Sequence, residues 1–147
     1  MTEDLISNGL FQPGKFKGIG RWVDKKGEQG EYTTAFEIVE EADNTKAQIT
    51  HREFLNADGS LLYEENSIVI VKFLENHFAE VTIRNDGKEL AGRGYNFNNS
   101  VHYDLDITED NHLENTYFFS DGKIELLGSA TNKGNYTVWT ETLYRVE

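Results

Sequence analysis

Histidine and carboxylate side chains carry most of the chemistry this chain could perform. It has four His and 26 Asp+Glu. His51 and Glu53 lie two residues apart, on a face shared with Ile49 and Leu55. On an interior strand face they would form a polar pair in an apolar cavity, able to orient a ligand or act as acid and base. On an exterior face they would be an ordinary solvated pair. His102, Asp104 and Asp106 also alternate along one strand face. Imidazole and carboxylate groups suit a divalent cation. Same-face neighbours on a strand are about 7 Å apart, however, too far for adjacent residues to chelate easily. The opposite face carries Val101, Tyr103, Leu105 and Ile107, so a solvated outer face is expected and no metal is assigned. His77 and His112 sit at turn edges and are expected to face solvent. Gly92-Arg93-Gly94 opens no helix, so it reads as a bend in a strand rather than a phosphate cradle. Nucleophile elbows, phosphate loops and dinucleotide fingerprints are absent. With no cysteine there are no disulfides, thiolate zinc sites, iron–sulfur clusters or Cys nucleophiles. No cofactor is expected.

The elements that must hold these residues are strands. Val101 to Thr108 alternates apolar and polar residues without exception, as a half-buried strand requires. Tyr32, Thr34, Phe36 and Ile38 form a similar face, and Ser67 to Phe73 is a continuous, β-branched run. Asp58-Gly59, Asp86-Gly87 and Asp121-Gly122 separate such runs and predict type I′ hairpin turns. Counting runs between turns predicts ten strands: 15–23, 31–40, 45–56, 61–75, 77–85, 88–97, 100–109, 112–120, 123–131 and 135–146. A bend or bulge is expected near Glu64-Glu65-Asn66. The 147 residues make one domain, with residues 1–14 as an N-terminal extension and a short helical turn within Thr2–Leu10. No gap holds a crossover helix, so neighbouring strands should be antiparallel. Ten of them in sequence avoid bare edges by closing into an up-and-down barrel. A β-sandwich is the alternative, but it needs longer connections.

Gly18-Ile19-Gly20-Arg21-Trp22 on the first strand and Leu143-Tyr144-Arg145-Val146 on the last resemble the calycin barrels. These comprise lipocalins, fatty-acid-binding proteins and nitrobindin-like proteins. The Gly-x-Trp of the first strand is similar to that of lipocalins. The resemblance implies that Gly20 and Trp22 form the barrel base and that Arg145 packs across the Trp. Lipocalins have eight strands and a following helix, whereas this chain ends at Glu147. Fatty-acid-binding proteins place a helical lid where this chain has only residues 24–30. The nitrobindin-like strand count fits best. Those proteins bind haem through a His on the last strand, and this chain has no His beyond His112. The resemblance therefore implies a barrel without haem.

A ten-stranded barrel has a wider interior than an eight-stranded one, and eight strands already hold a small ligand. The expected function is noncatalytic binding of a small apolar or aromatic molecule. Phe36, Tyr103, Tyr117 and Trp139 are the expected pocket residues, with His51 as polar orienter. Two other functions are weighed: a cavity isomerase or hydrolase using His51 and Glu53, and an acidic module that binds a basic protein. The formal charge of −12 argues against nucleic acid and against anionic membranes. Met1 to Gln12 does not resemble a secretory signal, and no long apolar run occurs, so the cytoplasm is the expected compartment.

Overall fold

Side-chain alternation carries over directly into strand faces. On Tyr32 to Ile38 the even residues are buried, and on Val101 to Leu105 the odd ones are. The computed structural model describes residues 10–147. Its strands are β1 (Gly14–Asp24), β2 (Gln29–Ala42), β3 (Thr45–Leu55), β4 (Leu61–Phe73), β5 (Phe78–Asn85), β6 (Lys88–Phe97), β7 (Ser100–Thr108), β8 (Asn111–Ser120), β9 (Lys123–Asn132) and β10 (Asn135–Arg145). Among the described residues the only helical piece is one 3-10 turn, Glu75–His77. Each strand pairs antiparallel with its sequence neighbours, and β1 also pairs with β10, closing the barrel. This excludes the sandwich. The expected helical turn lies on residues 2–10, of which all but Leu10 fall outside the described residues.

Two local expectations differ. The register irregularity opposite β4 falls between Phe54 and Leu55, whereas Glu64, Glu65 and Asn66 pair regularly with Glu53, Arg52 and His51. Of the three Asp-Gly turns, only Asp86-Gly87 has positive φ at both residues. At Asp58 and Asp121 only the glycine enters that region. Asp58 instead accepts hydrogen bonds from the Ser60 backbone and hydroxyl, which stabilise a longer loop.

The two barrel ends are chemically different. At one end Phe16, Phe36, Ile38, Val71, Phe73, Phe119, Ile124 and Leu143 pack into a closed core. Leu10 and Phe11 belong to that core and plug it from below. The Phe11 ring lies 4.7 Å from Phe119, 5.0 Å from Tyr117 and 6.3 Å from Phe73. Arg145 stacks on Phe16 at 4.7 Å and donates to the Pro13 carbonyl at 3.0 Å.

The expected barrel base is therefore corrected. Phe16 pairs with Arg145, whereas Trp22 pairs with Trp139. Six strand residues, about 20 Å, separate the two positions. Arg145 helps seal the closed end, and Trp22 stands at the opposite, open end. Gly20 still allows a close approach, because its inner side is covered by the Tyr32 ring. At Gly94 the β7 backbone comes so close that a Cβ would meet the His102 carbonyl oxygen. The bend expected at Gly92-Arg93-Gly94 is not marked by any register shift, since β6 keeps a regular register with β5 through all three residues and with β7 through Arg93 and Gly94.

Candidate functional site

The open half of the barrel encloses a cavity of about 840 Å³. Its floor is a hydrogen-bonded polar chain. The Trp139 indole N–H donates to Asn115 Oδ1 at 3.1 Å, and Asn115 Nδ2 donates to the Tyr103 hydroxyl at 3.1 Å. The Tyr103 and Tyr117 hydroxyls are 3.3 Å apart. Burial pushes both phenols above the ordinary tyrosine range, so both keep their protons.

Beside this floor lies a charged cluster built by register. Arg52 on β3 pairs with Thr34 on β2 and with Glu65 on β4. Glu141 reaches it from β10. Arg52 Nε and Nη2 donate to the two Glu141 oxygens at 2.9 and 3.3 Å, and Nη1 donates to Glu65 Oε1 at 2.8 Å. The Tyr32 hydroxyl and Thr34 Oγ1 also donate to Glu141, at 2.7 and 3.1 Å. Glu141 is thus a fully buried carboxylate with four hydrogen bonds. Burial alone would lower the Arg52 pKa, but the Glu141 and then the Glu65 charge outweigh it and raise it above the ordinary arginine range. Tyr32 is pushed far up, first by burial and next by the Glu141 charge.

Above the charges stand aromatic rings. Tyr32, Phe54 and Tyr63 are direct cross-strand partners, with ring centroids 4.7 and 4.6 Å apart. The Trp22 indole covers the inner side of Gly30, and that of Trp139 covers Gly128. A bulkier residue at either glycine would displace the indole. The facing wall is aliphatic, from Ile83, Leu90, Leu105, Ile107 and Leu113. The lumen therefore has an aromatic side, an aliphatic side and a polar floor. Few, well-placed polar groups in an apolar pocket are the usual make-up of a small-molecule site.

The expected pocket residues are only partly brought together. Tyr103, Tyr117 and Trp139 line the cavity. Phe36 is buried one layer lower, with the Arg52 guanidinium 5.7 Å above its ring, and does not line the lumen. His51 is the clear correction. Inner positions of β3 are Gln48, Thr50 and Arg52, so His51 and Glu53 point outward. They cannot act as an acid–base pair on a ligand in the lumen.

On that outer face His51 Nε2 lies 3.4 Å from Glu53 and 3.5 Å from Glu64, while Nδ1 lies 2.8 Å from Asn66 Oδ1. The Asn66 hydrogen bond, followed by that of Glu53, raises the imidazole pKa. His102, Asp104 and Asp106 also stand on the outer face, as expected, where Glu114 and His112 of β8 join them. Tyr95 and Phe97 face outward as well, because Asn96 is the buried residue of that segment.

The chain matches no family model and no curated protein. Solved structures do resemble it. A structure of Rv2717c from M. tuberculosis aligns with a TM-score of 0.68 at 11% identity, over 100% of this chain and 99% of that one. The S-type phycobiliprotein lyase CPES from Guillardia theta aligns with a TM-score of 0.74 at 10% identity, over 100% of this chain and 94% of that one. At such identities the likeness extends to the fold, a closed barrel matched over essentially its whole length. No helix among the described residues is long and apolar enough to cross a membrane.

Proposed function

We propose that this chain is a calycin-type barrel that binds one small apolar or aromatic molecule without chemical change. The observation that carries this reading is the cavity of about 840 Å³ with its aromatic, aliphatic and polar sides. Pockets of roughly 300–1,000 Å³ bury most of the surface of a drug-sized molecule. Tyr103, Tyr117 and Trp139 would contact the ligand, and Arg52, Glu65 and Asn115 would replace His51 as the orienting groups. One of the similar barrels is by name a phycobiliprotein lyase, which supports a ligand-handling role for the fold. No residue of that protein's site transfers at 10% identity. The outward placement of His51 and Glu53 removes the only acid–base pair proposed for an enzyme.

Native mass spectrometry of the protein purified from its own host tests the proposal. The expected result is an added mass of a few hundred daltons, on the order of what such a pocket holds. That mass should leave on denaturation. A bare polypeptide mass, from preparations that also take up no added aromatic compound, would contradict it.

A further inference from the structure

Resting on the cavity reading, we infer that the ligand is an aromatic or conjugated molecule carrying a cationic nitrogen, received by Glu65 and the rings beside it. Among the described residues the lining contains one cation, Arg52, and three carboxylates, Glu28, Glu65 and Glu141. Arg52 is already held by two of those carboxylates, at 2.8 and 2.9 Å. An anionic ligand seeking Arg52 would have to displace or adjoin both, inside a protein whose formal charge is −12.

The two inner carboxylates differ in what they can still accept. The Glu141 side chain is 0% exposed and takes four hydrogen bonds from Arg52, Tyr32 and Thr34. The Glu65 side chain is 31% exposed, opens on the lumen, and takes one hydrogen bond, from Arg52 Nη1, among the described contacts. Arg52, Glu65 and Glu141 together leave one negative charge uncompensated. Its accessible part is on Glu65.

The layer above is aromatic. Tyr63 is the next inward residue of β4 beyond Glu65, and Phe54 stacks on it. Trp22 and Trp139 line the same cavity. Aromatic rings around a carboxylate form the usual receiving site for an ammonium or iminium group, because ring quadrupoles and the carboxylate attract the same charge. Desolvation in a lumen strengthens both attractions relative to water.

The test is a competition assay against a neutral fluorescent probe, N-phenyl-1-naphthylamine, bound to the full chain. Three competitors share one ring and differ in head group: naphthylmethanol, naphthylmethyl-trimethylammonium and naphthylacetate. The ammonium compound is expected to displace the probe at a concentration about tenfold or more below that of the alcohol. Naphthylacetate should be the weakest of the three. Glu65→Gln should abolish the advantage of the ammonium compound over the alcohol, both measured in that variant, while Glu28→Gln at the rim should preserve most of the preference. Equal displacement by ammonium and alcohol in the wild-type chain, or stronger displacement by acetate, overturns the inference while leaving the cavity reading intact. Failure of the neutral probe to bind overturns both. The wild-type ranking decides the matter even if Glu65→Gln does not fold, and thermal melting identifies that case.

Discussion

Replacing Glu141 with alanine is expected to destabilise the protein by about 3–5 kcal/mol, the usual cost of breaking a buried ion pair from one side. Glu141 is 2% exposed and collects hydrogen bonds from three side chains on β2 and β3. Its loss strands the Tyr32 and Thr34 hydroxyls and leaves Arg52 with Glu65 alone. Water in the adjoining lumen can solvate part of what is exposed, which favours the lower end of the range. The pair itself is not expected to be a net gain over apolar packing, because both charges lost their hydration when the barrel closed. The double change Arg52→Met with Glu141→Leu should therefore recover part of the loss, although the Tyr32 and Thr34 hydroxyls stay without their acceptor and Glu65 loses its partner. Urea unfolding of Glu141→Ala, the double variant and the parent measures both statements. An alanine variant within about 0.5 kcal/mol of the parent, the range of an ordinary surface substitution, would show that Glu141 is not the buried hub described.

Phe11→Ala is expected to cost a similar amount, about 3–5 kcal/mol, as for other buried Phe truncations. The ring is completely buried and touches rings from β4 and β8. Phe11 has φ of 51°, a left-handed conformation that costs a bulky residue energy and persists only where packing enforces it. Once the ring is gone, the strain has no compensation and the plug should leave the barrel end. Phe11→Leu should retain most of the stability, since much of the buried apolar volume remains. Thermal unfolding with a matched urea series checks this. A loss below about 1 kcal/mol for alanine would mean that the barrel end is sealed without residues 10 and 11, since truncating a packed core Phe costs about three times as much or more.

The sequence showed the strands far better than it showed the lumen. Alternation and turn residues are local signals, so ten strands emerge from the sequence with ends within a few residues of those observed. Which face points inward is a relation between strands. For β3 the apolar Ile49 and Leu55 suggested the face of His51, yet Ile49 is outside and Gln48, Thr50 and Arg52 are inside. The needed signal was present on β2. With Phe36 and Ile38 inside, pairing across the turn at Asp43 and Asn44 brings Thr50 and Gln48 opposite them. Carrying that parity forward puts Arg52 in the lumen and His51 on the surface. Glu141 was equally legible, since it stands between Trp139 and Leu143 on one strand face. A charged residue between two core residues looks like an exception, and only its partners on other strands show how it is accommodated. The role assigned to Arg145 failed for a different reason. A short motif shared with a family names residues without their position along the barrel axis, and here Phe16 receives Arg145 at the end opposite Trp22.

The most direct measurement is the binding stoichiometry of N-phenyl-1-naphthylamine, followed through its own emission and the quenching of Trp22 and Trp139. It should be made on the parent chain and on Ala130→Trp, which adds bulk to a residue lining the cavity. A single saturable site in the parent, with quenching of the indoles and loss of binding in a folded Ala130→Trp variant, is the predicted result. Absence of saturable binding in the parent, or equal binding in the filled variant, would contradict a ligand-binding lumen.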